Sequence, residues 1–218
     1  MIRALPLVVG TGPVIGVTIA YWLGSRSGVL PSCMPLLDGC TSISATGRYL
    51  PGSLVFKAVL LPQAAFLLIL WWIAVGWLQQ VAPRVRGHIF VLVFGAVGAV
   101  ALVVYVTFLG TKEPFYEFMR RFGIYFYFLG TALSQIQLTV VMPRSPLRKA
   151  MLWIIGTPFL LGFANLAQKA LFAETDILEN RIEWISAVLM QIWFVLLYVA
   201  WRNSGLVVTV RTDPPNAH

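Results

Sequence analysis

Residues 54–78 read LVFKAVLLPQAAFLLILWWIAVGWL and carry one charged side chain, Lys57. A helix needs about 20 predominantly apolar residues, each advancing ~1.5 Å, to cross the hydrocarbon core of a bilayer. Backbone N–H and C=O groups meet no water there, so an open chain crosses as a helix that satisfies them internally. Residues 5–23, 89–110, 122–142, 151–172 and 184–201 have the same character. The expected fold is therefore all-α, a polytopic bundle of six transmembrane helices. One membrane domain is expected over residues 1–204, with an outer loop at 25–53 and a short, disordered cytoplasmic tail at 205–218.

Composition agrees with this reading. Of 218 residues, 59% are hydrophobic and 11% charged, whereas a soluble domain carries about 25% charged residues. An ordinary cytosolic enzyme and a disordered chain are both excluded. The formal charge of +8 raises nucleic acid as a partner, but the basic residues are scattered between apolar runs and form no basic face. The first run follows Arg3 without a small-residue cleavage pattern, so it is read as a retained span rather than a signal peptide.

Six spans put both termini on one side. The connecting segments then hold eight Lys and Arg on each side, so counting alone does not orient the chain. Arg84 with Arg86, and Arg144 with Arg148 and Lys149, form purely basic turns beside span ends, where such clusters weigh most. Seven of the eight acidic residues fall on the other side. Both termini are expected in the cytoplasm. Trp22, Trp77, Trp153, Trp184 and Trp201 fall near span ends, at headgroup level, while Trp71, Trp72 and Trp193 fall deeper and are expected to pack. Gly12, Gly16 and Ala20, and likewise Gly95 and Ala99, recur at a spacing that lets helices approach closely. Pro13, Pro62 and Pro158 lie inside spans.

Cys33 and Cys40 are the only cysteines and lie in the expected outer loop. On an oxidising face they can close a small disulfide loop; two separate thiols in an apolar loop are the other reading. Two thiols without nearby His supply half a tetrahedral metal shell, so no metal is expected. His88 and His218 are the only histidines and cannot converge with the outer carboxylates. No phosphate loop, nucleophile elbow or zincin motif occurs, and no cofactor is expected.

The informative polar residues sit near the outer ends of the spans: Lys57, Arg120, Arg121, Lys169 and Glu183. Helical spacing extends the set, because Arg121, Tyr125, Phe128 and Gln135 share a face. So do Asn165, Gln168, Lys169 and Phe172, and so do Glu183, Ser186, Met190 and Gln191. Intramembrane charges usually face a bundle interior, a wet cavity or each other. One reading is an outer-leaflet pocket of net positive charge holding an anionic headgroup. The other is that Lys and Arg snorkel to the interface, with Glu183 pairing one of them.

The segment Ile43-Ser44-Ala45-Thr46-Gly47-Arg48-Tyr49-Leu50-Pro51, with Phe56 opening the next span, resembles an outer-loop pattern. It is similar to the family of damage-regulated autophagy modulators, FGF-receptor-activating protein, Sfk-type proteins and the post-GPI-attachment lipid-remodelling factor. Glu183-Trp184 resembles the Glu-aromatic pair that begins that family's last helix. The resemblance spans roughly residues 31–206 and is nearest in pattern to the lipid-remodelling factor. It implies a six-helix protein acting on or with lipids, although members share no single reaction. Pro51 comes late, Ala45 replaces an acidic residue of some members, and histidines near the outer ends of the third and fifth spans appear as Lys112 and Lys169 or nearby residues. An ammonium keeps phosphate attraction but removes a base near neutral pH.

Three functions follow as expectations. In the first, the protein binds an anionic phospholipid or glycolipid and assists lipid remodelling or distribution. Lys57, Arg121 and Lys169 would hold phosphate, Glu183 would orient them, Ser44, Thr46 and Arg48 would form a lid, and Tyr125, Asn165 and Gln168 would line the site. In the second, it is an acyl-transfer enzyme using Glu183 or Glu113 as base. In the third, it is a scaffold whose basic turns bind a partner protein. No ring of like charges stands at mid-membrane depth, which disfavours a channel.

Overall fold

The computed structural model describes residues 2–84, 87–171 and 176–206, the side chains of 169–171 excepted. Arg86, Phe172, the Lys169 side chain and the tail from residue 207 lie outside the described residues. The long helices are α1 (Leu5–Arg26), α4 (Gly52–Val81), α5 (His88–Phe108), α6 (Pro114–Val141), α7 (Pro146–Leu171) and α8 (Asp176–Asn203). Two short helices, α2 (Pro35–Asp38) and α3 (Ile43–Thr46), occupy the first long loop. Six helices are long and apolar enough to cross a membrane, and no strand occurs among the described residues. The architecture is that of a multi-pass integral membrane protein.

Several helices begin before their apolar runs do. Pro114 opens α6 after the extended residue Glu113, because proline's fixed φ suits the first helical position and its missing N–H is not needed there. The polar first turns of α6 and α8 are consequently helical, and they carry Arg120, Arg121 and Glu183.

The helices form a ring. α5 packs most extensively against α6, α4 against α5, α1 against α4, α8 against α1, and α7 against α8. The closing contact, α6 with α7, is sparse. Only 11% of the apolar window of α7 is buried, against 44% for each of α4, α5 and α6, so α7 is the peripheral member. The tight α5–α6 pair rests on glycine. A Cβ on Gly123 would stand 2.6 Å from the Tyr105 backbone N, and one on Gly130 2.7 Å from the Phe94 carbonyl. Gly16 similarly admits the Val59 side chain between α1 and α4.

The interior is aromatic and sparingly polar. Trp71 packs on Trp193 and Phe194, with ring centroids 6.2 and 5.7 Å away. Gln63 Nε2 donates to the Val9 carbonyl at 2.7 Å, and Gln135 Nε2 to the Met190 carbonyl at 3.1 Å. Such groups cost free energy in hydrocarbon unless they are paired. Two of the tryptophans near span ends, Trp77 of α4 and Trp201 of α8, are buried within the bundle. Trp77 and Trp201 are buried against each other at 6.3 Å, and Trp77 Nε1 donates to Ser204 Oγ. Trp72, expected to pack, is 71% exposed and faces outward from the bundle. In the doublet Trp71-Trp72, a rotation of ~100° per residue allows only one ring to point inward.

The bundle has two distinct ends. At one, Arg3 donates to the carbonyls of Leu206 and Gly205 at 2.5 and 3.1 Å, so the first and last described segments lie together. At the other, the loop of residues 27–51 folds over α8. Cys33 and Cys40 are joined as a disulfide in this loop, with a Cα–Cα distance of 6.7 Å.

Candidate functional site

The site is built by α3 and by the strap that precedes it. Ser42 caps α3 by accepting the Ala45 N–H at 3.1 Å, and Thr46 Oγ1 donates back to the Ile43 carbonyl at 2.7 Å. Asn180 Nδ2 donates to the Gly39 carbonyl and Trp184 Nε1 to the Thr41 carbonyl, both at 2.9 Å, fastening the strap to α8. Ser44 thereby reaches two helices. Its N–H donates to Glu183 Oε1 at 3.4 Å, and its hydroxyl lies 2.9 Å from the Tyr105 hydroxyl of α5. The segment at residues 43–51 and the Glu183-Trp184 pair, remote in sequence, are in contact.

Beneath this strap is a cavity of about 740 Å³ between α6, α7 and α8. Its polar end is lined by Ser42, Ser44, Arg48, Tyr105, Arg120, Arg121, Glu179, Asn180 and Glu183. The other limb is lined by Phe128, Leu129, Ile155, Phe159 and Met190. It lies along the thin α6–α7 seam.

The charges at the polar end are only partly compensated. Glu117, from the preceding turn, takes Arg121 at 2.7 Å and Arg120 at 3.2 Å. The Arg121 side chain is 67% exposed and that of Arg120 14%. Arg120 Nε is buried and has no hydrogen-bond partner among the described residues. Arg48 lies within electrostatic range of both Arg120 and Glu183. No cation stands within 4.0 Å of the Glu183 carboxylate among the described residues; backbone N–H groups of Ile43 and Ser44 approach it instead.

Of the residues expected from sequence, the structure brings Ser44, Arg48, Arg121, Tyr125 and Glu183 to the cavity. Lys57, on α4, is not part of its lining, and neither are Asn165 and Gln168 of α7. Thr46 is buried under the strap and serves the turn of α3. Glu113 is exposed at the start of α6, outside the cavity. Tyr105, Glu179 and Asn180 are site residues that the sequence does not single out, and Arg120, counted from sequence among the outer-end charges but not among the phosphate-holding residues, also lines the cavity. Arg120 had a signal: it shares a helical face with Gly123, Tyr127, Gly130 and Ser134, all buried, whereas Arg121 is turned ~100° away. No group of three His, Cys, Asp or Glu suited to a metal ion occurs among the described residues.

Comparison with protein-family models, with curated proteins and with solved structures finds no match to this chain.

Proposed function

We propose that this protein binds a membrane lipid through a phosphate-bearing headgroup and assists lipid remodelling or lipid distribution. The observation that carries the reading is the division of one cavity into a limb of arginines, hydroxyls and carboxylates and a limb of Phe, Leu, Ile and Met, beside a sparsely packed seam. An amphiphile has the same division. Ligand sites of about 300–1,000 Å³ typically combine apolar walls with a few polar groups that fix orientation, and this cavity falls within that range. Arg48 and Arg120 would take the phosphate, as guanidinium groups suit phosphate oxygens by geometry and charge. The strap would close over the headgroup, and an acyl chain would follow the α6–α7 seam.

Membership of the lipid-remodelling family remains part of this proposal. The contact between Ser44 and Glu183 supports it, since it joins the two segments on which the resemblance rests. The disulfide suits an oxidising compartment, which would put the loop end outside and both termini in the cytoplasm. An acyl-transfer reading is favoured by one observation, the Glu183 carboxylate lining the cavity beside the Ser44 and Tyr105 hydroxyls.

Native mass spectrometry of the purified protein with lipid extraction tests the binding reading, comparing wild type with an Arg48→Ala, Arg120→Ala variant. A phospholipid or glycolipid retained by wild type and lost from a folded variant is the expected result. Equal lipid retention by both would overturn it.

A further inference from the structure

The cavity presents charge of both signs, and among the described residues Arg120 and Glu183 form no ion pair with each other. Arg120 extends from α6, and its one ion pair among the described residues is shared, since Glu117 also serves the more closely held Arg121. Its Nε–H is buried without an acceptor. Arg48, just after α3, lines the same space. Two guanidinium groups directed at one space repel unless an anion lies between them. Across the cavity, on α8, Glu183 accepts backbone N–H groups and has no cation in contact among the described residues. Arg120 and Glu183 line one cavity without pairing, so each is left to meet a ligand group of the opposite sign.

We infer that the headgroup recognised here is zwitterionic: a phosphodiester held by Arg48 and Arg120 that also carries a primary ammonium directed at Glu183. This rests on the lipid-binding reading above and narrows it. A headgroup with phosphate alone would satisfy the arginines but bring a second negative charge toward Glu183. A quaternary ammonium would bring positive charge without N–H donors, and it is best held by an aromatic cage. Tyr105 lines the polar end with its hydroxyl 2.9 Å from that of Ser44, and no aromatic cage is assembled around the Glu183 carboxylate among the ring contacts of the described residues lining the cavity. A primary ammonium supplies both the charge and the hydrogen bonds that a carboxylate accepts. The chemical class is thus that of phosphoethanolamine, whether on a diacyl lipid or on a soluble ester.

The test measures binding of wild-type protein in detergent to four lipids of identical acyl composition: phosphatidylethanolamine, its N,N-dimethyl derivative, phosphatidylcholine and phosphatidylglycerol. Phosphatidylethanolamine is expected to bind about tenfold tighter than phosphatidylcholine or phosphatidylglycerol, the size of one charge-assisted hydrogen bond. The dimethyl derivative should fall between. This series needs no variant and does not depend on a mutant folding. In a folded Glu183→Gln protein the preference over phosphatidylcholine should collapse, whereas Arg120→Gln should weaken all four lipids together. Equal or tighter binding of phosphatidylglycerol by wild type would overturn the zwitterionic assignment and leave the lipid reading standing. Failure of all four to bind would overturn both. Glycerophosphoethanolamine, which lacks acyl chains, separates the sources. Binding as tight as that of the lipid would keep the headgroup assignment and overturn the lipid reading, and much weaker binding would assign the ligand to the bilayer.

Discussion

The backbone N–H of Ser44 donates to Glu183 Oε1 at 3.4 Å, linking positions 139 residues apart. This contact ties the loop that covers the cavity to the helix that forms its wall. Replacing Glu183 with Ala removes the acceptor and leaves the Ser44 N–H without it, a loss expected to cost about 1–2 kcal/mol. Glu183→Gln keeps an amide oxygen in place and should cost less. Thermal unfolding of the two variants in the same detergent checks the order.

The Cys33–Cys40 disulfide closes a loop with a sequence separation of 7. In the chain-entropy model a loop this short is stabilised by about 2–3 kcal/mol. Cys33→Ser with Cys40→Ser should therefore lower thermal stability. Because Gly39 and Thr41 anchor the strap to Asn180 and Trp184, hydrogen exchange at residues 39–48 should rise more than in α4 or α5. Exchange mass spectrometry reads this directly.

Gly123→Ala should destabilise the bundle by about 1–3 kcal/mol, because the added carbon meets backbone and not a yielding side chain. The nearest atoms are Tyr105 N at 2.6 Å and Tyr105 Cα at 2.9 Å. Gly156→Ala is the matched control. Nothing lies within 4 Å of its Cβ, and replacing a mid-helix glycine is expected to be neutral or to stabilise by about 0.5–1 kcal/mol. Unfolding midpoints of the two variants give the comparison.

Gly162 lines the cavity from α7, with open space where its side chain would be. Gly162→Trp should fill the apolar limb and displace retained lipid without lowering the melting temperature. Native mass spectra together with a melting curve check both halves of that expectation.

Much of the architecture is legible in the sequence because apolar length alone identifies a membrane-crossing helix. How far each helix is rotated about its axis is not legible in the same way. Lys57, Arg120 and Arg121 all lie near one end of their spans, and distance along the span does not separate them. Rotation is set by which residues let a neighbour approach, and on α6 Gly123 and Gly130 turn toward α5. That choice carries Arg120 inward and leaves Arg121 at the rim. Lys57 sits on α4, which packs mainly on α1 and α5, and it is not part of the cavity lining. The contribution of Tyr105 was similarly hidden, because it depends on a loop residue reaching α5.

The thin contact between α6 and α7 has a mechanical consequence. A helix with most of its surface outside the protein takes its position from the lateral pressure of the surrounding acyl chains as well as from its neighbours. Bilayer thickness and fluidity therefore act on the width of that seam before they act on the rest of the bundle. A micelle, which replaces an ordered chain layer with a curved and looser shell, would alter how fast guests exchange even where it leaves the melting temperature unchanged.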